Sequence, residues 1–211
     1  AMCSCSHDEE WPEDTWNLYQ HIERAEGLNT LGDGDVRGLF KPHARRRDSA
    51  PAIESDADEE LIVKVWFAAP VNIRRIIVAS CHSEEEADPG SHPSSVRCFT
   101  GPTAEPLGFD GMEDTQPAQV IELLPNPEAD AFTQCALKPF TQVSFLLLHF
   151  PGNHGGVERT RVSYIGLQGE HSHAKRQAVD AKYELVPNAE DSKEAQRLLG
   201  LDKTGAMGRM Q

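Results

Sequence analysis

The chain has 211 residues, and its 34 acidic side chains outnumber its 20 lysines and arginines, which gives a formal net charge of −14 at pH 7. Nucleic acid and anionic membrane surfaces would repel this charge, whereas a basic protein surface would attract it. No apolar run approaches the roughly 20 residues of a transmembrane helix. Hydrophobic residues make up 38% of the chain, a low share that predicts one domain with polar tails.

The N-terminal residues 1–15 predict a mobile acidic segment without the apolar core of a secretion signal. Within it, Cys3, Cys5 and His7 form a candidate metal cluster, because thiolate and imidazole ligands suit zinc or copper. No fourth ligand is evident close to these three residues. Adventitious binding, or no metal at all, is therefore the alternative interpretation.

The next segment predicts a short helix from Thr15 to Glu26, because Trp16, Tyr19 and Ile22 recur at helical spacing. A loop rich in glycine and aspartate follows this helix. Residues 38–42 predict a short extended piece that a proline ends.

From residue 60 onwards the apolar residues alternate as they do in strands, with turn residues between the runs. In the first run, Leu61, Val63 and Val65 share one face, while Ile62 and Trp66 lie on the other. The predicted strands cover residues 61–67, 71–78, 96–100, 120–124, 131–137, 143–150, 159–167 and 179–185. About eight short strands without long helices predict an all-β fold, either a β-sandwich or a jelly roll. After them, residues 188–211 predict a polar tail with one amphipathic helix over 188–199.

A run of acidic residues leads directly into the first predicted strand, at Leu61. Unpaired carboxylates are almost never buried, so these acids are expected to form an exposed acidic edge. A solvated start of a strand, a cation site and a protein-docking patch are all compatible with it. The acids are Glu54, Asp56, Asp58, Glu59 and Glu60.

The sequence contains no pattern that demands catalysis or a cofactor. There is no Gly-x-Ser-x-Gly elbow, no Cys-x-x-Cys pair and no phosphate-binding glycine loop. Cys98 and Cys135 lie in or beside strands and are predicted to be buried, and Cys81 and His82 point to opposite faces of an extended chain. The five cysteines in total, an odd number at irregular spacings, favour a reducing compartment over a disulfide framework.

Histidines are the remaining candidates for metal or acid–base chemistry. His171 and His173 are two residues apart and would share a face of an extended chain, so they could chelate a metal, although exposed pairs more often do nothing. His149 lies on a mostly apolar strand and is predicted to be a hydrogen-bonded core residue.

Several motifs, in this order along the chain, resemble the PITH domain, the C-terminal proteasome-interacting module of a thioredoxin-like protein that also occurs in small proteins without thioredoxin. The motifs are Phe40-Lys41-Pro42, the acidic run from Glu54 to Leu61, Ser91-His92-Pro93-Ser94, Phe109-Asp110, and Tyr164-Ile165-Gly166-Leu167-Gln168-Gly169-Glu170. The resemblance covers about residues 16–187, between the segment 1–15 and the tail 188–211. Two positions depart from it, because His43 and His171 stand where many members have tryptophan.

The resemblance implies a jelly-roll β-sandwich, similar to the Doc-type subunit of the anaphase-promoting complex and to galactose-binding-like domains. It also implies a non-enzymatic adaptor of cytoplasm and nucleus that associates with the proteasome regulatory particle. This chain has no thioredoxin domain, so reductase activity is not carried over. A monomer is expected.

The candidate partner-binding surface consists of the acidic run, the loop that follows residue 90 and the end of the last motif. Its residues are Glu54, Asp56, Asp58, Glu59, Glu60, Ser91, His92, Pro93, Gly169 and Glu170. The alternative is that these motifs only build the sandwich, with Asp56 or Asp58 capping turns and with Gly166 and Gly169 supplying backbone conformations open to glycine. Two other functions remain open: a small-ligand or glycan-binding sandwich, and a thiol or metal-handling protein that uses Cys3, Cys5 and His7.

Overall fold

The computed structural model describes residues 16–82 and 91–171. The chain divides into two compact units, Ala1–Arg176 and Gln177–Gln211, and the described residues all belong to the first. Within them, no helix has both the length and the apolar character that crossing a bilayer requires. The predicted strand over 179–185, the predicted helix over 188–199 and the cluster of Cys3, Cys5 and His7 lie outside the described residues.

The described residues form strands joined by loops and short 3-10 turns. The strands are β1 (Ile22–Leu28), β2 (Ile53–Glu54), β3 (Leu61–Ala79), β4 (Ser95–Thr100), β5 (Gln119–Glu122), β6 (Thr133–Gln134), β7 (Val143–Phe150), β8 (Arg161–Val162) and β9 (Tyr164–His171). The 3-10 turns are Leu18–His21, Arg37–Leu39, His43–Arg45, Pro102–Ala104 and Phe109–Gly111.

Strand β3 organises the larger sheet, in which the strand order is β1-β3-β7-β4-β5. Its first half pairs antiparallel with β1 and β7, and its second half pairs with β9 and β6. The two runs that the sequence predicted at 61–67 and 71–78 are therefore one strand, in which the pairing to β7 shifts register between Trp66 and Val71. The small strands β2 and β8 form a separate pair.

Both faces of β3 are buried, and they carry the two sets of side chains that the alternation predicted. Leu61, Val63 and Val65 belong to the main core. Ile62 belongs to a second cluster on the other face, against which Trp66 packs. A strand that is buried on both faces reads as a nearly continuous apolar run, which is why residues 61–67 are so hydrophobic.

The predicted helix from Thr15 to Glu26 is wrong, because this segment contains a 3-10 turn and then strand β1. The pairing of β1 with β3 shifts register between Ile22 and Arg24. This irregularity leaves Ile22 and Ala25 buried with two exposed residues between them. At a bulge, buried positions can lie three residues apart, and this spacing imitates that of a helix.

The predicted extended piece over 38–42 is also wrong. Residues Arg37–Leu39 form a 3-10 turn, and the buried side chain of Lys41 folds back over the following loop. Its Nζ donates hydrogen bonds to the carbonyl oxygens of Asp48 and Ala50, at 2.9 and 3.1 Å. The Phe-Lys-Pro motif thus has a structural role, since the ammonium group holds residues 48–50 in place.

The remaining strand predictions differ from the structure mainly in length. The prediction at 143–150 is confirmed by β7, and those at 96–100 and 120–124 are close to β4 and β5. The predicted strand over 131–137 shrinks to β6. The predicted strand over 159–167 is divided into β8 and β9, because Ser163 leaves the strand pattern to hydrogen-bond the end of β3 at Ala79.

Position 169 of β9 requires glycine because the backbone of β3 lies too close for a side chain, and not because the backbone of residue 169 needs a special conformation. It pairs with Ile73, and a Cβ atom at this position would overlap the carbonyl oxygen of Asn72. The backbone of β3 is held here by its pairing with β9 and by the hydrogen bond from the Ile73 nitrogen to the carbonyl of Phe140. The proposed role of this glycine in an open backbone conformation is therefore wrong.

We predict that Gly169→Ala lowers the free energy of unfolding by about 2 kcal/mol or more, the cost typical of overpacking. Urea unfolding followed by tryptophan fluorescence measures this loss. Gly108→Ala is the matched control, because no atom lies within 4 Å of the Cβ position there. Equal stability of the two variants would contradict the steric explanation.

Candidate interaction site

The acidic run forms a tight loop whose shape depends on Asn29. The side-chain oxygen of Asn29 accepts a hydrogen bond from the backbone of Ala57 at 2.9 Å. Its amide nitrogen donates to the Asp58 carboxylate and to the carbonyl of Glu60, both at 2.7 Å. Asn29 itself has a positive φ of 60°, which asparagine tolerates better than most residues. No motif or pattern in the sequence singles out this residue.

Asp58 caps the turn, as the structural alternative predicted. Its Oδ1 accepts a hydrogen bond from the backbone nitrogen of Glu60 at 3.0 Å, in addition to the bond from Asn29. By contrast, the side chains of Asp56 and Glu59 are exposed, and their carboxylates contact no hydrogen-bond or ion-pair partner among the described residues. The prediction of an exposed acidic edge is thus met by Asp56, Asp58 and Glu59, of which Asp58 also has a structural task.

Glu60 and Glu54, at the two ends of the run, are only half-buried and are paired. Glu60 lies 3.5 Å from Nε2 of His149, whose ring is buried in β7. Burial lowers the pKa of His149, against the opposing effect of the Glu60 carboxylate. Glu54 accepts a hydrogen bond from Arg161 at 2.7 Å and lies 4.0 Å from Arg159.

The loop of residues 152–160 joins the acidic loop to the rest of this end of the molecule. Thr160 accepts a backbone hydrogen bond from Ser55 and returns one to the Ser55 hydroxyl, at 2.9 and 3.0 Å. The Thr160 hydroxyl also donates to the carbonyl of Glu59 at 2.6 Å. Both Ser55 and Thr160 are completely buried, so the acidic loop rests on a fixed base.

The predicted loop of Ser91, His92 and Pro93 is bonded to the same loop of residues 152–160. Pro93 forms a β-bridge with Asn153, and the carbonyl of His92 accepts a hydrogen bond from the backbone of His154 at 3.0 Å. The ring of His92 is buried, with its Nδ1 donating to the carbonyl of Pro93 at 2.7 Å. Burial is the main cause that lowers the pKa of His92, and the nearby His154 and His82 add to it.

A cavity of about 500 Å³ opens between these loops. Its lining includes the pair of Glu54 and Arg161 as well as His82 and Ser91. Arg161 is held firmly, because it also donates to the carbonyl of Ser49 at 3.1 Å. The described residues that line the cavity are Glu54, His82, Ser91, Gly156, Val157, Glu158, Arg159 and Arg161.

The last two predicted site residues, Gly169 and Glu170, do not join this site. They pair with Ile73 and Asn72, whereas the start of β9 at Tyr164 pairs with Ala79. At about 3.3 Å per residue, the six steps from Tyr164 to Glu170 place the latter about 20 Å along the strand. The structure thus brings the acidic loop and the Ser91–Pro93 loop together and leaves Gly169 and Glu170 near the opposite end.

The two histidines that replace tryptophan contact other rings. His43 stacks on Trp16, with a centroid distance of 5.0 Å and an interplanar angle of 9°, and its Nδ1 lies 3.3 Å from the hydroxyl of Tyr164. His171 contacts the ring of His21 at a centroid distance of 4.1 Å.

The described cysteines are buried thiols and poor nucleophiles. Burial raises the pKa of Cys135 to about 12 and raises the pKa of Cys98 as well. Cys81 is also buried, and its pKa is raised for the same reason. The prediction that Cys98 and Cys135 are core residues is confirmed.

Comparison with known proteins identifies the family. A family model, the PITH domain, matches residues 8–187. The chain belongs to the PITH domain family. It is 35% identical over 181 residues to PITH domain-containing protein 1 of Danio rerio, with 84% of this chain and 81% of the relative covered. The Homo sapiens protein of the same name is 32% identical over 196 residues, which cover 90% of this chain and 88% of the relative.

Solved structures of similar fold confirm the predicted β-sandwich. One contains the CBM32-1 and CBM32-2 domains of Clostridium perfringens ZmpB in complex with GalNAc (TM-score 0.51, 11% identity, 72% of this PITH chain and 35% of that chain). Another is a fucolectin from Morone saxatilis serum (TM-score 0.51, 12% identity, 74% of this chain and 49% of that one). At these identities the likeness concerns the fold alone. The names of the PITH relatives state a domain and no reaction, and the family supports a protein-interaction module.

We predict that Arg161→Gln lowers the free energy of unfolding by about 1–3 kcal/mol, because it leaves the carboxylate of Glu54 without its main partner. The matched control is Arg159→Gln, which should cost less than about 0.5 kcal/mol. The two arginine side chains differ in exposure, 14% for Arg161 and 53% for Arg159. Urea unfolding measures the loss of stability in both variants. Equal losses would contradict the conclusion that Arg161 is the main partner of Glu54.

We also predict that stability falls as pH drops below 6.5, the ordinary value for histidine. Since the folded-state pKa of His92 is lowered, the unfolded chain binds more protons between the two pKa values. The part of the stability that depends on a neutral His92 ring is therefore fully present above pH 6.5, and it is lost as the pH falls through the folded-state pKa of His92. The loss between pH 7.5 and 5.5, measured by urea unfolding, should be smaller in His92→Gln. An unchanged loss would rule out His92 as a source.

Proposed function

We propose that this PITH domain is a non-enzymatic adaptor that docks a basic protein surface at the end of the sandwich built by residues 54–60, 91–93 and 152–160. The observation that carries the proposal is the state of Asp56 and Glu59. Their backbone is held by hydrogen bonds, from the Asp56 nitrogen to the carbonyl of Asn29 and from the Thr160 hydroxyl to the carbonyl of Glu59, while their carboxylates are exposed and unpaired among the described residues. Rigid, unsatisfied charges add specificity and association rate at an interface.

The proposed partner is the regulatory particle of the proteasome, in cytoplasm and nucleus, with the adaptor acting as a monomer. This part rests on the resemblance of the motifs to proteasome-interacting PITH proteins. The net charge of −14 supports a protein partner with a basic surface and opposes nucleic acid and anionic membranes.

A small ligand in the cavity beside Arg161 is the second candidate function. The volume of about 500 Å³ falls in the range of small-molecule sites. For a glycan the lining is unfavourable, because its described residues offer no Trp, Tyr or Phe ring for stacking. Trp66 does not help, since the guanidinium of Arg24 covers it at 3.7 Å from the ring centroid. A glycan array without signal would remove the carbohydrate version of this candidate.

The decisive experiment is affinity purification from the native cell in the presence of ATP, followed by mass spectrometry. The wild type should recover regulatory-particle subunits, and Asp56→Lys combined with Glu59→Lys should lose them. Failure of the wild type to recover them would refute the proteasome assignment.

The matched control is Glu113→Lys combined with Asp114→Lys. It makes the same change of charge at two exposed residues of another loop. Recovery should persist in this control. If both double variants lose the subunits equally, overall charge is responsible and the acidic loop is not the interface. Thermal unfolding of the purified variants confirms that each one is folded.

A further inference from the structure

Strand β5 forms one edge of the larger sheet, and its outer side is unpaired among the described residues. It is the last strand in the order β1-β3-β7-β4-β5, and it pairs there with β4 alone. We propose that this edge binds an extended peptide segment of a partner protein, which adds one more strand to the sheet. The bound segment carries an apolar residue beside Val120 and a lysine or arginine beside Glu122.

The hydrogen-bond pattern decides which backbone groups of β5 face outwards. The nitrogen of Leu123 donates to the carbonyl of Ser94 at 2.9 Å, and the direction of the backbone groups alternates along an antiparallel strand. Leu123 and Ile121 therefore face β4, whereas the N–H and C=O groups of Val120 and Glu122 point away from the sheet. None of the described residues hydrogen-bonds the backbone of Val120 or Glu122. An extended chain is the partner that fits such a row of donors and acceptors.

The other end of this strand order, β1, is protected in a way that β5 is not. The loop after β1 folds back along its outer side, where the nitrogen of Gly27 donates to the carbonyl of Gly34 at 2.8 Å. Arg37 of the same loop donates to the carbonyl of Glu23 at 2.9 Å. Proteins commonly cover an edge strand in this manner, because an exposed edge pairs readily with another chain. Within the described residues, β5 is the end of this order that stays open.

The side chains of β5 fix its register and present an alternating pattern to solvent. Ile121 and Leu123 are buried in the main core, so the strand cannot slip by one residue. The residues that alternate with them are exposed, to 51% for Val120 and 76% for Leu124, with the exposed Glu122 between the two in sequence. Facing residues on neighbouring strands stabilise a sheet when apolar meets apolar and when opposite charges meet. The matching segment therefore reads apolar, basic, apolar at every second residue.

A groove of about 450 Å³ adjoins Val120 and has room for an apolar side chain of the bound segment. The buried Met112 supplies apolar surface to its lining. Charges of both signs also line it, from Arg97 on the one hand and from Glu113 and Asp114 on the other. The groove itself thus has no strong preference for one sign of charge, and the preference for a basic residue comes from Glu122.

The overall charge favours a partner protein over a second copy of this chain. Two chains with a net charge of −14 repel each other, whereas a basic segment is attracted. The proposal does not depend on the acidic loop or on the proteasome, because it concerns a different surface and is tested with a peptide.

The first test is hydrogen exchange of the backbone amides in the free full chain, measured by NMR. The amides of Val120 and Glu122 should exchange rapidly, because they point away from the sheet, whereas those of Ile121 and Leu123 should be protected by their bonds to β4. Protection of all four amides would overturn the proposal, because the edge would then already be covered by another part of the chain or by a second copy.

The second test is NMR titration of the full chain with the peptide Thr-Val-Thr-Lys-Thr-Val-Thr at up to millimolar concentration. Its sequence reads the same in both directions, so the orientation of the added strand need not be assumed. The peptide should slow exchange at Val120 and Glu122. Val120→Pro should weaken binding by at least about tenfold, because it removes an outward donor and leaves the bonds to β4 intact. Val120→Thr keeps the donor and should bind within about threefold.

A charge exchange tests the residue beside Glu122. Glu122→Lys should weaken binding of this peptide about threefold to fivefold and should strengthen binding of the peptide with glutamate in place of lysine by a similar factor. The matched control is Glu23→Lys, which makes the same change at an exposed residue of the covered edge β1 and should leave both affinities unchanged. Thermal unfolding checks that each variant is folded. Absence of peptide binding to the wild type, or an equal effect of the two lysine variants, would overturn the proposal.

Discussion

The structure depends on one strand, β3, that is buried on both faces and paired along both of its halves. The first half carries β1 and β7, and the second carries β9 and β6. Burial of apolar side chains on both faces supplies the main stabilisation, at roughly 25 cal/mol per Å² of apolar surface. Because so many strands share β3, any displacement of its backbone is transmitted to most of the fold. Gly169 shows this constraint, since β9 approaches the backbone of β3 too closely for any side chain.

The two ends of β3 also determine where a functional surface can form. Residue 55 precedes the strand, Ser80 follows it, and the segment 160–163 hydrogen-bonds both of them. The acidic loop and the loop at 91–93 meet because both are bonded to residues 152–160, although about 35 residues separate them in sequence. Their conformation comes from buried hydroxyls and the Asn29 amide, which leaves Asp56 and Glu59 free to face solvent. The same loops thus combine a structural role with an exposed charge pattern.

How much of the fold and of the candidate site could be predicted depends on how far along the sequence each pattern extends. The alternation in 61–67 predicted both buried faces correctly, and the run at 143–150 predicted β7, because burial on a strand repeats every second residue. The helix at 15–26 was a wrong prediction, because a bulge in β1 placed buried residues three apart. The acidic edge was visible from composition. Its partner Asn29, and the loop at 152–160 that supports it, carried no local signal.

The sequence by itself therefore determined the all-β class, the family and the chemistry available at each motif. These properties depend on residue type and on spacing within about ten residues. Only the tertiary structure decided which motifs share a surface: it joined Glu54 to Arg161 and Ser55 to Thr160, it brought His21 to His171, and it left Glu170 at the far end of β9. Such contacts link segments that lie up to 150 residues apart. The pairing of β2 with β8 sets the contact of Glu54 with Arg161, and the register of β9 on β3 sets the positions of His171 and Glu170.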